Sequence, residues 1–290
     1  MVRLEQLTLN PRTRKSLQGN FVELLSGTTH YELSNPDSKD FVVLVHGFST
    51  PYYIWDPTFN SLADAGFSVL RYDLLGRGYS DRPRSVYDLD LFVNQLCQLI
   101  EILEIKKPFH LIGLSFGSWI STQYCNLFPQ DISSLTLISP LVSGKPLSKT
   151  AVFTIPWIGE IYFHGYYSRF MLPQSQSSDF FDASQHPDWE NKFLDQMRFR
   201  GFNQAILSTY RNIRLVDWRS IYENFSRQEI PLQIFWGKED QTVNRPEIDC
   251  LQQMVLGSQL IQIDQAGHIP HYEQPEMVSK KMIKFIKKFD

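Results

Sequence analysis

The sequence predicts an α/β fold with a mostly parallel central sheet, flanking helices and an inserted helical cap. Six short apolar runs rich in β-branched residues are typical of strands buried on both faces of a sheet. Helical patterns lie between these runs, and strands that alternate with helices indicate parallel βαβ units. A gap of about 90 residues interrupts the alternation and is too long for a connecting loop, so it indicates the cap.

The predicted strands begin with a hairpin and continue as buried parallel strands. Residues 21–25 and 30–33 flank a glycine-containing turn, which is typical of an antiparallel β-hairpin. The parallel strands are predicted at residues 41–45, 67–72, 109–114, 135–139, 232–236 and 260–264.

Three helices of the core are predicted from apolar stripes. Residues 89–103 carry apolar side chains three and four positions apart, and aspartates at 88 and 90 suit the start of a helix. A second helix is predicted from Ser115 toward Phe128, where Pro129 ends it. The last is predicted over residues 275–288, with apolar residues on one face and lysines on the other.

The order of these elements divides the chain into four segments. We expect an N-terminal extension at 1–19, a first part of the core at 20–140, a helical cap at 141–229 and a second part of the core at 230–290. Within the cap, residues 151–172 hold seven aromatic residues, and residues 187–215 resemble two helices broken near Gly201.

Composition excludes several classes of function. A net charge of −3 gives no general attraction to nucleic acid. The three cysteines form no metal-like spacing, so we expect reduced thiols, a cytoplasmic location and no metal. Residues 1–19 lack the apolar region of a secretory signal, and no spanning helix is predicted because charges interrupt every window of 18 residues. A monomer and a homodimer remain alternatives.

A candidate nucleophile lies between two glycines after the strand at 109–114. The pattern Gly113-x-Ser115-x-Gly117 joins a buried strand to a helix and predicts a sharp, strained turn. The turn would lift the Ser115 hydroxyl above the sheet edge at a helix N-terminus, where free N–H groups favour negative charge. A serine that merely caps the helix is the alternative interpretation.

A serine hydroxyl needs a base, and the base needs an acceptor that orients it. His268 follows the last predicted strand by a short loop, and we predict it as the base, with His271 as its nearby alternative. Asp240 follows the strand at 232–236, and we predict it as the acceptor, with Glu239 as its rival.

A tetrahedral intermediate also needs donors for its oxyanion. Gly47 allows a sharp turn after the strand at 41–45, so the N–H of Phe48 is one predicted donor. The N–H of Phe116, the residue after the nucleophile, is the other.

These motifs together resemble the α/β-hydrolase superfamily, in its branch of His-Gly lipases and esterases. The matching stretches are "VLVHGF", "RYDLLGRGYSDRP", "LIGLSFGS", "WGKEDQTV" and "QAGHIPHYEQPE". Their order, with Ser115 before Asp240 and His268, is that of the superfamily and differs from the orders in chymotrypsin and subtilisin. The chain most resembles monoacylglycerol-lipase-like and small carboxylesterase members with a helical cap. The resemblance implies ester hydrolysis through an acyl-enzyme without a cofactor, and it implies structural roles for Asp73 and Arg77.

The aromatic cap indicates an apolar acyl group in a small-molecule ester of short to medium chain length. Ser49, Trp157 and Phe163 are the predicted substrate contacts. Contact between the cap and a membrane surface is not favoured, because a helix on a membrane surface would carry more basic residues than Arg169 alone. A carbon–carbon bond hydrolase, a thioesterase and a non-catalytic binding protein on the same fold are the alternatives.

Overall fold

The computed structural model describes residues 4–143 and 148–289, which form a central sheet of eight strands and the helices around it. The strands are β1 (Asn20–Leu24), β2 (Gly27–Ser34), β3 (Phe41–Val45), β4 (Ser68–Tyr72), β5 (Phe109–Leu114), β6 (Ile132–Ile138), β7 (Leu232–Gly237) and β8 (Gln259–Ile263).

The order of the strands across the sheet is β1-β2-β4-β3-β5-β6-β7-β8. The hairpin β1–β2 and the pair β2–β4 are antiparallel, and every other neighbouring pair is parallel. The predicted fold class and hairpin are therefore confirmed. The predicted strand at 135–139 starts too late, because β6 already begins at Ile132. The second and third residues of β6 are serines, which interrupt the apolar run from which the strand was predicted.

Twelve α-helices pack around the sheet or form the cap among the described residues. They are α1 (Pro11–Arg14), α2 (Asp56–Asp64), α3 (Leu89–Ile102), α4 (Phe116–Leu127), α5 (Ile158–Tyr162), α6 (Leu172–Ser175), α7 (Trp189–Gln196), α8 (Phe202–Ile213), α9 (Trp218–Phe225), α10 (Arg245–Met254), α11 (Pro270–Glu273) and α12 (Pro275–Ile286). The predicted helices at 89–103, 115–128 and 275–288 correspond to α3, α4 and α12. Helix α2 was not predicted, because Thr58 and Leu62 are its only fully buried residues and give no readable stripe.

Alternate residues of the central strands face two separate apolar cores, as the two-residue period of a strand requires. Val43 and Val45 of β3 pack with α3, α4 and α9 on one side of the sheet. Val42 and Leu44 pack with α2 and α12 on the other side. All five residues of β3 are buried, which explains the continuous apolar run that predicted it.

The chain between β6 and β7, which was predicted as the cap and keeps that name below, has an apolar core of its own. Phe153, Phe163, Phe193 and Phe202 are buried there, and the half-buried ring of Phe48, from the loop after β3, packs against them. Phe163 begins a π-helical segment, Phe163–Met171, and the predicted pair of helices broken near Gly201 corresponds to α7 and α8.

The segment predicted as an N-terminal extension is bonded to the cap. The N–H of Glu5 donates to the carbonyl of Met197 (2.9 Å), and the N–H of Leu7 donates to the carbonyl of Arg198 (2.9 Å). In return, the N–H of Arg200 donates to the carbonyl of Leu7 (2.9 Å). These bonds join the start of the described chain to the loop between α7 and α8.

Candidate active site

Three of the predicted site residues lie at the carboxyl edge of the sheet. Ser115 follows β5 directly, Asp240 lies in the loop after β7, and His268 lies in the loop after β8. Because β5, β6, β7 and β8 are parallel, their carboxyl ends share one edge, where ligands bind in open α/β sheets.

Ser115 occupies a strained turn between β5 and α4. Its backbone has φ 51° and ψ −116°, an uncommon conformation for a residue with a side chain. The Ser115 N–H donates to the carbonyl of Ile138 (3.0 Å), and the Ser115 carbonyl accepts a hydrogen bond from the hydroxyl of Ser118 (2.5 Å). These bonds hold the sharp, strained turn that the sequence predicts at Ser115.

The two flanking glycines are sterically required at this turn. A Cβ atom at Gly113 would lie 2.6 Å from the carbonyl oxygen of Gly117. A Cβ atom at Gly117 would lie 2.3 Å from the carbonyl oxygen of Val45, on the neighbouring strand. Helix α4 therefore packs on the sheet too closely for any side chain at either position.

Asp240 and His268 are hydrogen-bonded to each other. His268 Nδ1 and Asp240 Oδ2 are 2.9 Å apart, and both side chains are buried. The other oxygen of Asp240 accepts hydrogen bonds from the N–H groups of Thr242 (2.8 Å) and Val243 (3.0 Å). The carboxylate is thus fixed by its own loop and oriented toward the imidazole.

The electrostatics of this pair favour a charged imidazole. Burial opposes ionisation of Asp240, but the charge and hydrogen bond of His268, with the N–H groups of Val243 and Thr242, hold the pKa of Asp240 below its usual value. Burial likewise disfavours a protonated His268, but the charge and hydrogen bond of Asp240, and the charge of Asp179, raise the pKa of His268 to about 9.

The rival residues have other partners. His271 is fully buried, with its Nε2 3.1 Å from the carbonyl oxygen of Ile54, and burial lowers the pKa of His271 to about 3. Glu239 accepts a hydrogen bond from the N–H of Ala266 (3.0 Å). The structure therefore brings Asp240, and not Glu239, into contact with His268.

Ser115 shares the edge with this pair without a bond to it. Within residues 4–143 and 148–289, no hydrogen bond joins the Ser115 hydroxyl to His268. Contacts between a nucleophile and its base are often long in unliganded enzymes and shorten when substrate binds.

The predicted oxyanion loop, residues 46–50, lies against Ser115. A Cβ atom at Gly47 would lie 3.3 Å from Cβ of Ser115, which shows how closely this loop approaches the turn. In the described part of the chain, the backbone N–H groups of Phe48 and Phe116 donate no hydrogen bond. Both groups are therefore free to bind a ligand oxygen.

Two buried side chains hold the oxyanion loop in place. Arg77 Nε donates to the carbonyl of Phe48 (2.8 Å), and Gln196 of the cap donates to the carbonyl of Ser49 (2.9 Å). Asp73 is 2.7 Å from the ring of His30 and also accepts from the N–H of Tyr52. These contacts are structural, which agrees with the roles expected for Arg77 and Asp73.

The three predicted substrate contacts have different surroundings. The Ser49 hydroxyl donates to the side-chain carbonyl of Gln176 (3.3 Å), beside the oxyanion loop. Phe163 is fully buried in the cap core, 6.3 Å from the ring of Tyr210, which itself lies 4.5 Å from the ring of Phe48. The structure does not support the prediction for Trp157, because this side chain is 81% exposed on the cap surface. Aromatic content alone could not tell the inner from the outer face of this segment.

A short segment of the cap that was not predicted from the sequence contacts both the oxyanion loop and the His268 loop. Gln176 and Asp179 delimit a 3-10 helix, Gln176–Asp179, which we call the cap turn. The carbonyl of Asp179 accepts a hydrogen bond from the N–H of His268 (2.7 Å). No motif marks this contact, since a main-chain acceptor can belong to any residue type.

The described ranges contain neither a candidate metal site nor a candidate membrane span. Residues 4–143 and 148–289 hold no group of three or more His, Cys, Asp or Glu side chains arranged to bind a metal ion. In the same ranges, no helix has both the length and the apolar character needed to cross a membrane.

Comparison with known proteins identifies the family. Residues 42–281 match the model of the alpha/beta hydrolase family. Monoacylglycerol lipase ABHD6 of Mus musculus is 27% identical over 262 residues, which cover 87% of this chain and 76% of the relative.

Solved structures agree on the fold. The enol-lactonase of Burkholderia xenovorans superposes with a TM-score of 0.78 at 18% identity, covering 92% of this chain and 100% of the other. A haloalkane dehalogenase of Agrobacterium tumefaciens superposes with a TM-score of 0.82 at 16% identity, covering 94% and 97%. Identities this low show the fold alone, and the two named activities differ. The family match covers most of the chain, and the protein belongs to the alpha/beta hydrolase family.

Proposed function

We propose that the protein is a serine hydrolase that cleaves carboxylic esters with an apolar acyl group of short to medium length. The observation that carries the proposal is the 2.9 Å contact between His268 and Asp240 at the sheet edge that also bears Ser115 in its strained turn. This combination supplies a nucleophile, a base and an acceptor that orients the base.

The proposed reaction begins with attack of the Ser115 hydroxyl on the ester carbonyl. His268 Nε2 takes the hydroxyl proton, and Asp240 holds the imidazole in the required tautomer through Nδ1. The tetrahedral intermediate places its negative oxygen between the N–H groups of Phe48 and Phe116, each of which contributes roughly 3 kcal/mol to transition-state stabilisation.

Proton transfers complete both halves of the reaction. His268 gives its proton to the leaving alcohol, which departs and leaves the acyl group on Ser115. A water molecule then loses a proton to His268 and attacks the acyl-enzyme. The carboxylic acid is released and the Ser115 hydroxyl is restored, so the chemistry needs no cofactor.

The acyl preference rests on the aromatic rings beside the nucleophile. The partly buried rings of Phe48 and Tyr210 lie 4.5 Å apart and form an apolar surface next to the cap core, backed by the fully buried ring of Phe116, 6.3 Å from Phe48. Such a surface suits a hydrocarbon chain. The 27% identity with a monoacylglycerol lipase supports glycerol monoesters among the substrates we propose.

Labelling and burst kinetics test the proposal. We expect a fluorophosphonate probe to label Ser115, and 4-nitrophenyl esters of graded chain length to give a burst of nitrophenol as the acyl-enzyme forms. The variant Ser115→Ala should lose both, whereas Ser121→Ala, which removes a buried hydroxyl of the same helix, should keep both. Labelling that persists in Ser115→Ala would contradict the proposal, and turnover of thioesters or of vinylogous diketones in place of esters would favour the alternative hydrolases.

A further inference from the structure

The cap turn connects the two loops that the proposed chemistry uses. At one end, the side-chain carbonyl of Gln176 accepts hydrogen bonds from the hydroxyls of Ser49 (3.3 Å) and Thr50 (3.1 Å) on the oxyanion loop. At the other end, the carbonyl of Asp179 accepts the N–H of His268 (2.7 Å). The backbone of Asp179 therefore lies directly against the loop of the proposed base.

The carboxylate of Asp179 has no hydrogen-bond partner among the described residues, although it is half-buried. The neighbouring acids do have partners. Asp240 accepts from His268 and from its own loop, and Glu273 accepts from the N–H groups of Gly267 (2.7 Å) and Phe181 (2.7 Å). Among these three acids, Asp179 is the one with an unused carboxylate, and withdrawing an unpaired carboxylate from water is unfavourable unless a donor reaches it.

Charged groups around the proposed base interact with this carboxylate. Burial, together with the charges of Asp240 and Glu273, raises the pKa of Asp179 to about 6 against the opposing effect of His268. Burial raises the pKa of Tyr210, whose ring packs on Phe48, and the charge of Asp179 adds to this rise. Asp179 therefore lies within electrostatic range of both the proposed base and the ring of Tyr210.

The position next to His268 indicates which half of the substrate Asp179 would meet. His268 must reach the leaving oxygen in order to protonate it, so the alcohol half of the ester lies on the His268 side. A carboxylate there can accept a hydrogen bond from a hydroxyl on that alcohol. A cationic alcohol is disfavoured, because its charge would lie close to the imidazolium that forms during the reaction.

We propose that Asp179 is a specificity-determining residue that accepts a hydrogen bond from a free hydroxyl on the alcohol half of the substrate, so that partial esters of a polyol are preferred over esters of simple alkanols. This inference rests on the proposed ester hydrolysis at Ser115. It adds a discriminating contact from the cap to the residues that carry out the reaction.

The test compares two esters that differ only in alcohol hydroxyls, 1-butyrylglycerol and propyl butyrate. We expect the ratio of their kcat/KM values to fall about tenfold in Asp179→Asn, mainly through a higher KM for the glycerol ester, because a hydrogen bond to a charged acceptor is lost. Asp188→Asn, which neutralises an exposed carboxylate of the cap with no side-chain hydrogen bond, should leave the ratio unchanged. Both variants should keep the thermal unfolding midpoint, since Asp179 bonds His268 through its main chain.

A second readout separates recognition from a purely electrostatic role. The groups that face Asp179 are His268, Asp240, Glu273 and Tyr210, and loss of its charge should move the acidic limb of kcat/KM for propyl butyrate to lower pH. A shifted acidic limb with an unchanged ratio of the two kcat/KM values would overturn the inference. A loss of kcat/KM confined to butyrylcholine, an ester of a cationic alcohol, would overturn it as well. If wild type hydrolysed neither ester and Ser115 took no label, the proposed function would fail as well, an outcome distinct from an unchanged ratio in an active esterase.

Discussion

Asp240 and His268 form a buried hydrogen-bonded pair, with 2.9 Å between Oδ2 and Nδ1. The pair joins the loops after two neighbouring parallel strands, β7 and β8. The second carboxylate oxygen of Asp240 accepts hydrogen bonds from the N–H groups of Thr242 and Val243, so the carboxylate keeps its orientation whether or not the imidazole is charged.

Asp240→Asn should lower kcat for 4-nitrophenyl butyrate by about 10³- to 10⁴-fold, because an amide no longer enforces the tautomer that leaves Nε2 free to accept a proton. The fold should survive, since the amide oxygen still accepts from the loop. The matched control is Glu239→Gln, which keeps an acceptor for Ala266 N–H and should retain kcat within a fewfold of wild type. Steady-state kinetics measure kcat for both variants. An Asp240→Asn variant as active as this control would exclude Asp240 from the mechanism.

The pH profile of kcat/KM should rise toward alkaline pH. The charge of Asp240 holds His268 protonated against the effect of burial, with a pKa of about 9, and a protonated imidazole cannot accept the Ser115 proton. Activity should therefore fall about tenfold for each pH unit below that pKa. Initial rates with propyl butyrate between pH 5 and about 10 measure the limb, and a rate independent of pH across this range would refute the expectation.

Gly117→Ala should destabilise the protein by about 3 kcal/mol or more, because its Cβ would lie 2.3 Å from a carbonyl oxygen of the neighbouring strand. The control is Gly165→Ala, at an exposed helical position where a Cβ meets nothing within 4 Å. That change should stabilise slightly, by about 0.5–1 kcal/mol, through better helix propensity. Urea unfolding followed by circular dichroism compares the two, and equal midpoints would show that α4 can move away from the sheet.

Trp157→Ser should leave kcat/KM for water-soluble esters within a fewfold of wild type, because this side chain is 81% exposed on the cap. Phe163→Ala removes a fully buried ring six positions further along the chain and should cost about 3–5 kcal/mol of stability through the cavity it leaves. Activity assays and thermal unfolding of both variants measure the contrast. A large loss of activity in a stable Trp157→Ser variant would restore Trp157 as a substrate contact.

The core of the fold could be predicted because its signals are local. Strand β3 is buried at every position and is a continuous apolar run, and α3 shows its buried face as a single stripe. Ser115, with glycines on both sides, is likewise readable, since the steric demand acts on neighbours in the chain. The prediction of Asp240 and His268 needed one further rule, that the carboxyl ends of parallel strands meet at one edge of the sheet.

The cap could be predicted much less completely, and its contribution to the site not at all. The stretch that contains Trp157 and Phe163 is apolar on both its exposed and its buried sides, so its pattern does not tell the outer face from the inner one. Asp179 and Gln176 lie in a short polar segment without periodicity. Their positions depend on tertiary contacts with the oxyanion loop and the His268 loop, which leave no local trace.

The cap turn also has a consequence for recombining this protein with its relatives. Gln176 and Asp179 are hydrogen-bonded to loops that come before and after the cap in the chain. The cap is therefore bonded directly to the oxyanion loop and the His268 loop. A chimera that exchanged the whole insert at its two junctions would discard three hydrogen bonds that position those loops. Grafts that change substrate range should therefore cross over on either side of residues 176–179 and leave this turn native.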